Sequence, residues 1–367
     1  VAFNVRTVVD RESELWQTLR AWPKIELHRH LEGSVRLATL IDVARTHDDI
    51  SLPTLDAEQL RPFVQITEED EASFSVFLSK FDVLRQFYRS LEIVERIAYE
   101  AVEDAANDNV RYMELRFTPH ALIQQNNYRY KDVIAVVCDA VTAAAETYGI
   151  RVRLIVSVNR HESVEIAEQV LEAVLALERD EVVAMDLAGR EYGHSALPFK
   201  DVFKRAKETG LSITIHAGEW DGPENVQEAI LDVGADRIGH GVRTVEDSRV
   251  VQLVRDRAVT LEVCPISNLH SGVVARMEHH PLLDLAYLNV ITTLNTDDPA
   301  ISDITLTDEL VLAHVGLGLP LPTIKKNILN ATQAAFLPNR QRADLLSEFR
   351  SALGMDETLL RPPGPLA

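Results

Sequence analysis

IELHRHLEG, residues 25–33, closes an alternating apolar run on two histidines one residue apart. Successive strand side chains point to opposite faces, so His28 and His30 are expected to share a face with Glu26, and Ile25 and Leu27 to point the other way. Seven more short β-like runs follow: VRYMELRFTP (110–119), VRLIVSVNR (152–160), VVAMDLAGR (182–190), ITIHAGE (213–219), RIGHGVR (237–243), VTLEVCPISN (259–268) and VITTLNTDDP (290–299). Helix-like stretches with recognisable ends lie between them. YKDVIAVVCDAVTAAAETYG stops at Gly149 and PFKDVFKRAKETG at Gly210, each placed as the glycine after a helix. PENVQEAILDVG opens with Pro223 at a first helical position and closes on Gly234, while TVEDSRVVQLVRDRA starts on Thr244 with Asp247 three residues on, a capping-box-like start. Eight strands alternating with helices predict parallel β/α units, and eight is the number that closes a TIM-type (β/α)8 barrel, here one α/β domain over 1–367. An open doubly wound sheet is the rival, but no GxGxxG follows the first strand.

The interval between the first two runs is about twice the usual repeat. An extra helical segment is therefore expected within about residues 45–105, with further helices after the last strand. Phe74, Phe77, Leu78, Phe81 and Leu84 recur there at helical spacing. Such a face packs on the barrel or forms a lid over its mouth, and one helix can do both.

Of 367 residues, 46% are hydrophobic and 26% charged, ordinary globular composition. A formal charge of −20 argues against binding a phosphate backbone and fits a small-molecule ligand. No apolar run is long enough to span a membrane, and the charged start VAFNVRTVVDRESELW lacks a signal-peptide core. Cys138 and Cys264 are too few for a disulfide framework, which makes the cytoplasm the expected compartment. The oligomeric state has no signature in the sequence.

In a TIM barrel the active site lies at the C-terminal ends of the strands. Those ends carry His28 and His30, Glu114 and Arg116, Asn159 to His161, Asp186 to Gly189, His216 to Glu219, His240, Ser267 and Asn268, and Asp297 and Asp298. Metal-ligand and acid–base residue types thus converge on one rim. His28 and His30, about 7 Å apart at Cα, are spaced to grip one metal; the alternative is an imidazole pair satisfied by carboxylates. His216 and Asp297 would complete a mixed N/O set that suits Zn²⁺, with Fe²⁺, Co²⁺ or Mn²⁺ conceivable. His240 and Asp298 stand where they could hold a water and remove its proton, and Glu219 where it could protonate a substrate nitrogen. Their bland readings are a core histidine, an N-cap before Pro299 and a helix N-terminal carboxylate. Glu114 and Arg116 are expected to pair inside the barrel, and His279 and His280 to be solvated. Asp186 is a candidate structural residue, and Gly189 a point of close ligand approach or a turn glycine.

HRHLEG, MDLAG, HAGE, IGHG, CPISN and NTDDP, in that order from about Lys24 to Pro299, resemble the adenosine deaminase family of the amidohydrolase superfamily. The resemblance implies one Zn²⁺ per chain on His28, His30, His216 and Asp297. It implies that Glu219 protonates purine N1 while hydroxide, oriented by His240, attacks C6 and ammonia leaves. Asp298 would bond to the water and N7, and the Gly189 N–H to N3, with His30 and Glu32 also facing the substrate. Most adenosine deaminases carry aspartate where this chain has Glu32, a position that contacts the ribose 5′-hydroxyl. Adenosine or 2′-deoxyadenosine is the expected substrate, in purine salvage, with adenine or aminodeoxyfutalosine as alternatives. A binuclear esterase or lactonase on the same barrel needs a bridging lysine at the end of the fourth strand, which VVAMDLAGR lacks.

Overall fold

Ile213 and Ile215, or Met185 and Leu187, alternate with Thr214 and Asp186, and all six are buried, so both faces of these strands are covered, as in an all-parallel sheet. The computed structural model describes residues 2–123 and 128–355. The parts of the expected domain at 1, 124–127 and 356–367 lie outside the described residues. Eight strands follow one another in order: β1 (Lys24–His30), β2 (Val110–Phe117), β3 (Arg151–Asn159), β4 (Val182–Ala188), β5 (Ser212–Ala217), β6 (Arg237–His240), β7 (Thr260–Val263) and β8 (Thr292–Leu294). Each pairs in parallel with the next. The ring closes through the residues just past β8. The Asp297 N–H donates to His28 O at 2.9 Å, the His30 N–H to Asp297 O at 2.8 Å, and the Leu27 N–H to Asn295 Oδ1 at 3.0 Å.

Most helix boundaries follow from local chemistry. Helix Tyr130–Tyr148 ends on Gly149 at φ 68°, in the left-handed region that glycine enters without strain. Pro223 opens helix Pro223–Glu228, which runs on through one wider turn, Ala229–Val233, to Gly234. Helix Lys200–Glu208 is capped by Thr209 and followed by Gly210 at φ 96°, the expected glycine after a helix.

Three expectations need correction. β1 ends at His30 and β8 at Leu294, both short of the apolar runs that suggested them. The register of β1 against β2 shifts between Glu26 and Arg29. That irregularity breaks the alternation, so Glu26 leaves the face of the two histidines, accepts from the Thr296 N–H (3.2 Å) and hydroxyl (2.9 Å), and lines an outer cavity with Arg29. Thr244 sits in a 3-10 turn, and Asp247 itself caps helix Ser248–Asp256 by accepting from the Arg249 N–H at 2.8 Å. Between β1 and β2 lie four helices, Leu37–Thr46, Ala57–Val64, Phe74–Leu84 and Leu91–Asn107, more than the single crossover helix of a β/α unit. Helices Leu321–Ala334 and Asn339–Leu353 complete the described chain.

Candidate active site

The strand ends bring His28, His30, His216 and Asp297 together, with one ligating atom of each within 4.8 Å of all the others. Asp297 Oδ1 lies 3.2 Å from His28 Nε2 and 3.3 Å from His30 Nε2, and the Nε2 atoms of His30 and His216 are 3.3 Å apart. His28 Nε2 is buried without a hydrogen-bond partner. An orphaned imidazole nitrogen costs free energy, and three imidazoles with a carboxylate match the donor set of a catalytic zinc or a similar divalent ion. The residues therefore fit one metal.

Three of the four donors are held from behind. The Nδ1 atoms of His28 and His216 lie 2.8 Å from Glu262 Oε2 and 3.0 Å from Asp186 Oδ1, which fixes Nδ1–H as the donor and turns the Nε2 lone pairs towards the common point. The Ser267 hydroxyl donates to Asp297 Oδ2 at 2.7 Å. Burial lowers the pKa of His30 and His216 below that of an ordinary histidine and so favours the neutral, ligating form. Burial alone would raise the Asp297 carboxyl, but the surrounding imidazoles hold it well below the usual range.

His240, the last residue of β6, is buried with Nε2 3.6 Å from Glu219 Oε2 and 4.0 Å from Asp297 Oδ2. Its Nδ1 lies 3.2 Å from the Asn268 amide. Burial depresses its pKa strongly. Burial, and then the charges of Asp297 and Glu191, push Glu219 well above an ordinary carboxylate, the direction a proton donor needs. Asp298 is raised in the same way by burial and by Asp297 and Glu32. Although Asp298 precedes helix Pro299–Ser302, its side chain makes no capping bond, and its Oδ1 is buried without a partner. His240 and Asp297 have φ of 59° and 62°, conformations that cost non-glycine residues energy and that here aim both side chains at the cluster.

A cavity of about 640 Å³ opens over this cluster, within the range of small-molecule sites. His30, Glu32, Gly189, Glu219, His240 and Asp298 line it. Phe74, Phe77, Leu78 and Phe81 of helix Phe74–Leu84 form its wall, so that helix both packs on the barrel and covers the mouth. Gly189 has φ 83°, and a Cβ there would sit 2.7 Å from His161 Nδ1, so the backbone is bare where it meets the cavity. Gly33 leaves room for Asp298, whose Oδ1 would lie 1.8 Å from a Cβ at that position. Glu32 accepts from the Thr118 N–H at 2.6 Å through Oε1, Oε2 is buried and unpartnered, and burial raises the carboxyl to about 7.

Glu114 and Arg116 do not pair with each other. Arg237 reaches Glu114 at 2.6 Å, and Arg116 reaches Glu262 at 2.7 Å and Asp186 at 3.3 Å, because partners across the barrel are better aimed than a neighbour two residues along one strand. His279 is exposed as expected, but His280 is buried against Asn268 and the Leu282 N–H. No motif points to Glu262 or Glu191, and Asp186 stands among the strand-end candidates with a structural reading. Each lies on or next to a strand end, but its role depends on a partner from another strand.

The chain resembles known proteins along most of its length. The model of the family described as adenosine deaminase matches residues 23–352. An adenosine deaminase of Serratia proteamaculans is 38% identical over 89% of this chain and 98% of its own. A zinc-bound amidohydrolase from Burkholderia ambifaria superposes with a TM-score of 0.83 at 25% identity, over 96% of this chain and 98% of that one. The adenine deaminase of Arthrobacter aurescens does so with 0.83 at 27% identity, over 90% and 99%.

Proposed function

The chain belongs to the adenosine deaminase family, and from that premise we propose that it hydrolyses adenosine and 2′-deoxyadenosine to the 6-oxo nucleosides and ammonia, with one zinc ion on His28, His30, His216 and Asp297. The observation that carries this reading is the meeting of four donors, three imidazoles and the Asp297 carboxylate, beneath a cavity edged by two carboxyls that burial raises above the usual range.

When bound, the ion supplies chemistry that bare water lacks, lowering the pKa of water from 15.7 towards about 7. The protein's own groups do the rest. The Glu219 carboxyl donates its proton to purine N1, which draws electron density from C6. Neutral His240, through Nε2, orients the attacking water and takes up its proton. The water oxygen bonds to C6 and makes it tetrahedral. The proton held by His240 passes to the exocyclic nitrogen, which leaves as ammonia, while the C6 hydroxyl proton returns to the Glu219 carboxylate, so that C6 becomes a carbonyl carbon beside N1–H and both groups are reset. Asp298 bonds to the water and N7, and the Gly189 N–H donates to N3. The hydrophobic wall of helix Phe74–Leu84 excludes bulk water from these transfers.

A second reading, adenine as substrate, is favoured by Glu32, whose unpartnered Oε2 stands where most adenosine deaminases carry a shorter acid. The two buried, unpaired cysteines support a cytoplasmic place in purine salvage, and no helix among the described residues is long and apolar enough to cross a membrane. Absorbance assays with adenosine, 2′-deoxyadenosine, adenine, AMP and aminodeoxyfutalosine test the assignment. Adenosine and its deoxy form should give the highest kcat/KM. Turnover of none of the five by metal-replete protein would refute it.

A further inference from the structure

Glu191 carries five N–H groups on one buried carboxylate. It is 2% exposed and lies two residues after Gly189, in the segment that leaves β4. Its Oε1 accepts from the Gly218 N–H at 2.6 Å and the Asn225 amide at 3.0 Å. Its Oε2 accepts from the backbone N–H groups of Glu219 (3.0 Å), Trp220 (2.7 Å) and Asp221 (3.2 Å). Residues 218–222 otherwise connect β5 to helix Pro223–Glu228 without regular structure, and buried backbone donors need acceptors. A neutral side chain cannot replace the carboxylate, because an amide offers one acceptor oxygen and turns an NH₂ group against the remaining donors.

We propose that Glu191 is a positioning residue for the reaction: it fixes the loop that carries Glu219, and thereby the distance from the Glu219 carboxyl to the substrate nitrogen. One short segment then bears on two lining residues of the cavity, since Gly189 faces it directly and Glu191 fixes the loop of Glu219. The proposal rests on the deaminase reading only for what Glu219 protonates; the clamp itself stands on the five hydrogen bonds. A catalytic group displaced by about 1 Å loses up to about 10²-fold in rate.

The test compares wild type, E191Q and N225A in adenosine turnover, zinc content and Trp220 fluorescence. The last is isolated by subtracting W220F counterparts and reports the loop, because the Trp220 ring packs on Phe74 at 4.5 Å. E191Q should lower kcat by about tenfold to a hundredfold with KM changed less than about threefold. Zinc should stay at one equivalent and the Trp220 emission should shift. N225A keeps the four backbone bonds and should lose about twofold to fivefold in kcat, which carries the test if E191Q fails to fold. Wild-type kcat in the soluble variants, or parallel loss of zinc and KM, overturns the proposal. If wild type itself turns over no adenosine, the deaminase reading has failed, and an unshifted Trp220 emission then decides against the clamp.

Discussion

Two layers of ionisable side chains fill the same barrel, and they differ in whether their charges are matched. In the lower layer every carboxylate oxygen of Glu114 and Glu262 accepts at least one contact. Glu114 takes the Tyr112 hydroxyl (2.7 Å), the Phe336 N–H (2.6 Å) and Arg237 (2.6 Å). Glu262 takes Arg237 (2.5 Å), Thr214 (3.1 Å), Arg116 (2.7 Å) and His28 (2.8 Å). In the upper layer His28 Nε2, Glu32 Oε2 and Asp298 Oδ1 make no hydrogen bond, and burial, followed by the neighbouring acids, raises the carboxyls of Glu219 and Asp298 well above the usual range. Arg116 Nε and Nη1 also lack hydrogen bonds in the lower layer, so the contrast lies in the carboxyls: matched ones hold the fold, and unmatched ones mark where a metal and a substrate supply the missing partners.

The largest effect should come from the upper layer. E219Q should lower kcat by about 10²- to 10⁴-fold while thermal stability stays near wild type, measured by adenosine turnover and calorimetry. A large loss of stability instead would erase the distinction between the layers. The lower layer should respond the other way. R237M strips a buried guanidinium from Glu114 and Glu262 and should cost about 3–5 kcal/mol in denaturant unfolding, with turnover per folded molecule changed far less.

A third, smaller effect sharpens the contrast at a matched site outside the barrel. Buried His270 bonds through both ring nitrogens, to Ser302 Oγ at 3.1 Å and Phe3 O at 2.9 Å. Burial lowers its pKa from 6.5 to about 4. The unfolded chain therefore binds the proton more readily, and the stability this residue contributes is lost as pH falls from about 6.5 towards 4, by about 2 kcal/mol at pH 5. The difference in unfolding free energy between wild type and H270Q at pH 7 and pH 5 isolates that slope; parallel curves would remove it.

What the sequence made legible follows from how each residue acts. His28, His30, His216, Glu219, His240, Asp297 and Asp298 sit at strand ends in short motifs, so strand periodicity and the barrel rule were enough to gather them. Glu262 and Asp186 act through His28 and His216, contacts made across the barrel between strands far apart in sequence. The β1 irregularity that moves Glu26 away from the histidines is a matter of register between strands, invisible to a period-two reading of one strand. His280 resembled a loop residue because its burial depends on Asn268 from another turn. Gly33 looked like part of a motif, and only the packing of Asp298 against it shows what its missing side chain permits.

The unmatched upper layer makes one demand above all, a metal at the meeting point of His28, His30, His216 and Asp297. Equilibrium dialysis against zinc followed by elemental analysis measures it directly, on wild type and on H216A. The account predicts one equivalent per chain in wild type and well below one in the variant with its fold intact. No bound zinc in wild type, or an unchanged equivalent in H216A, would contradict it.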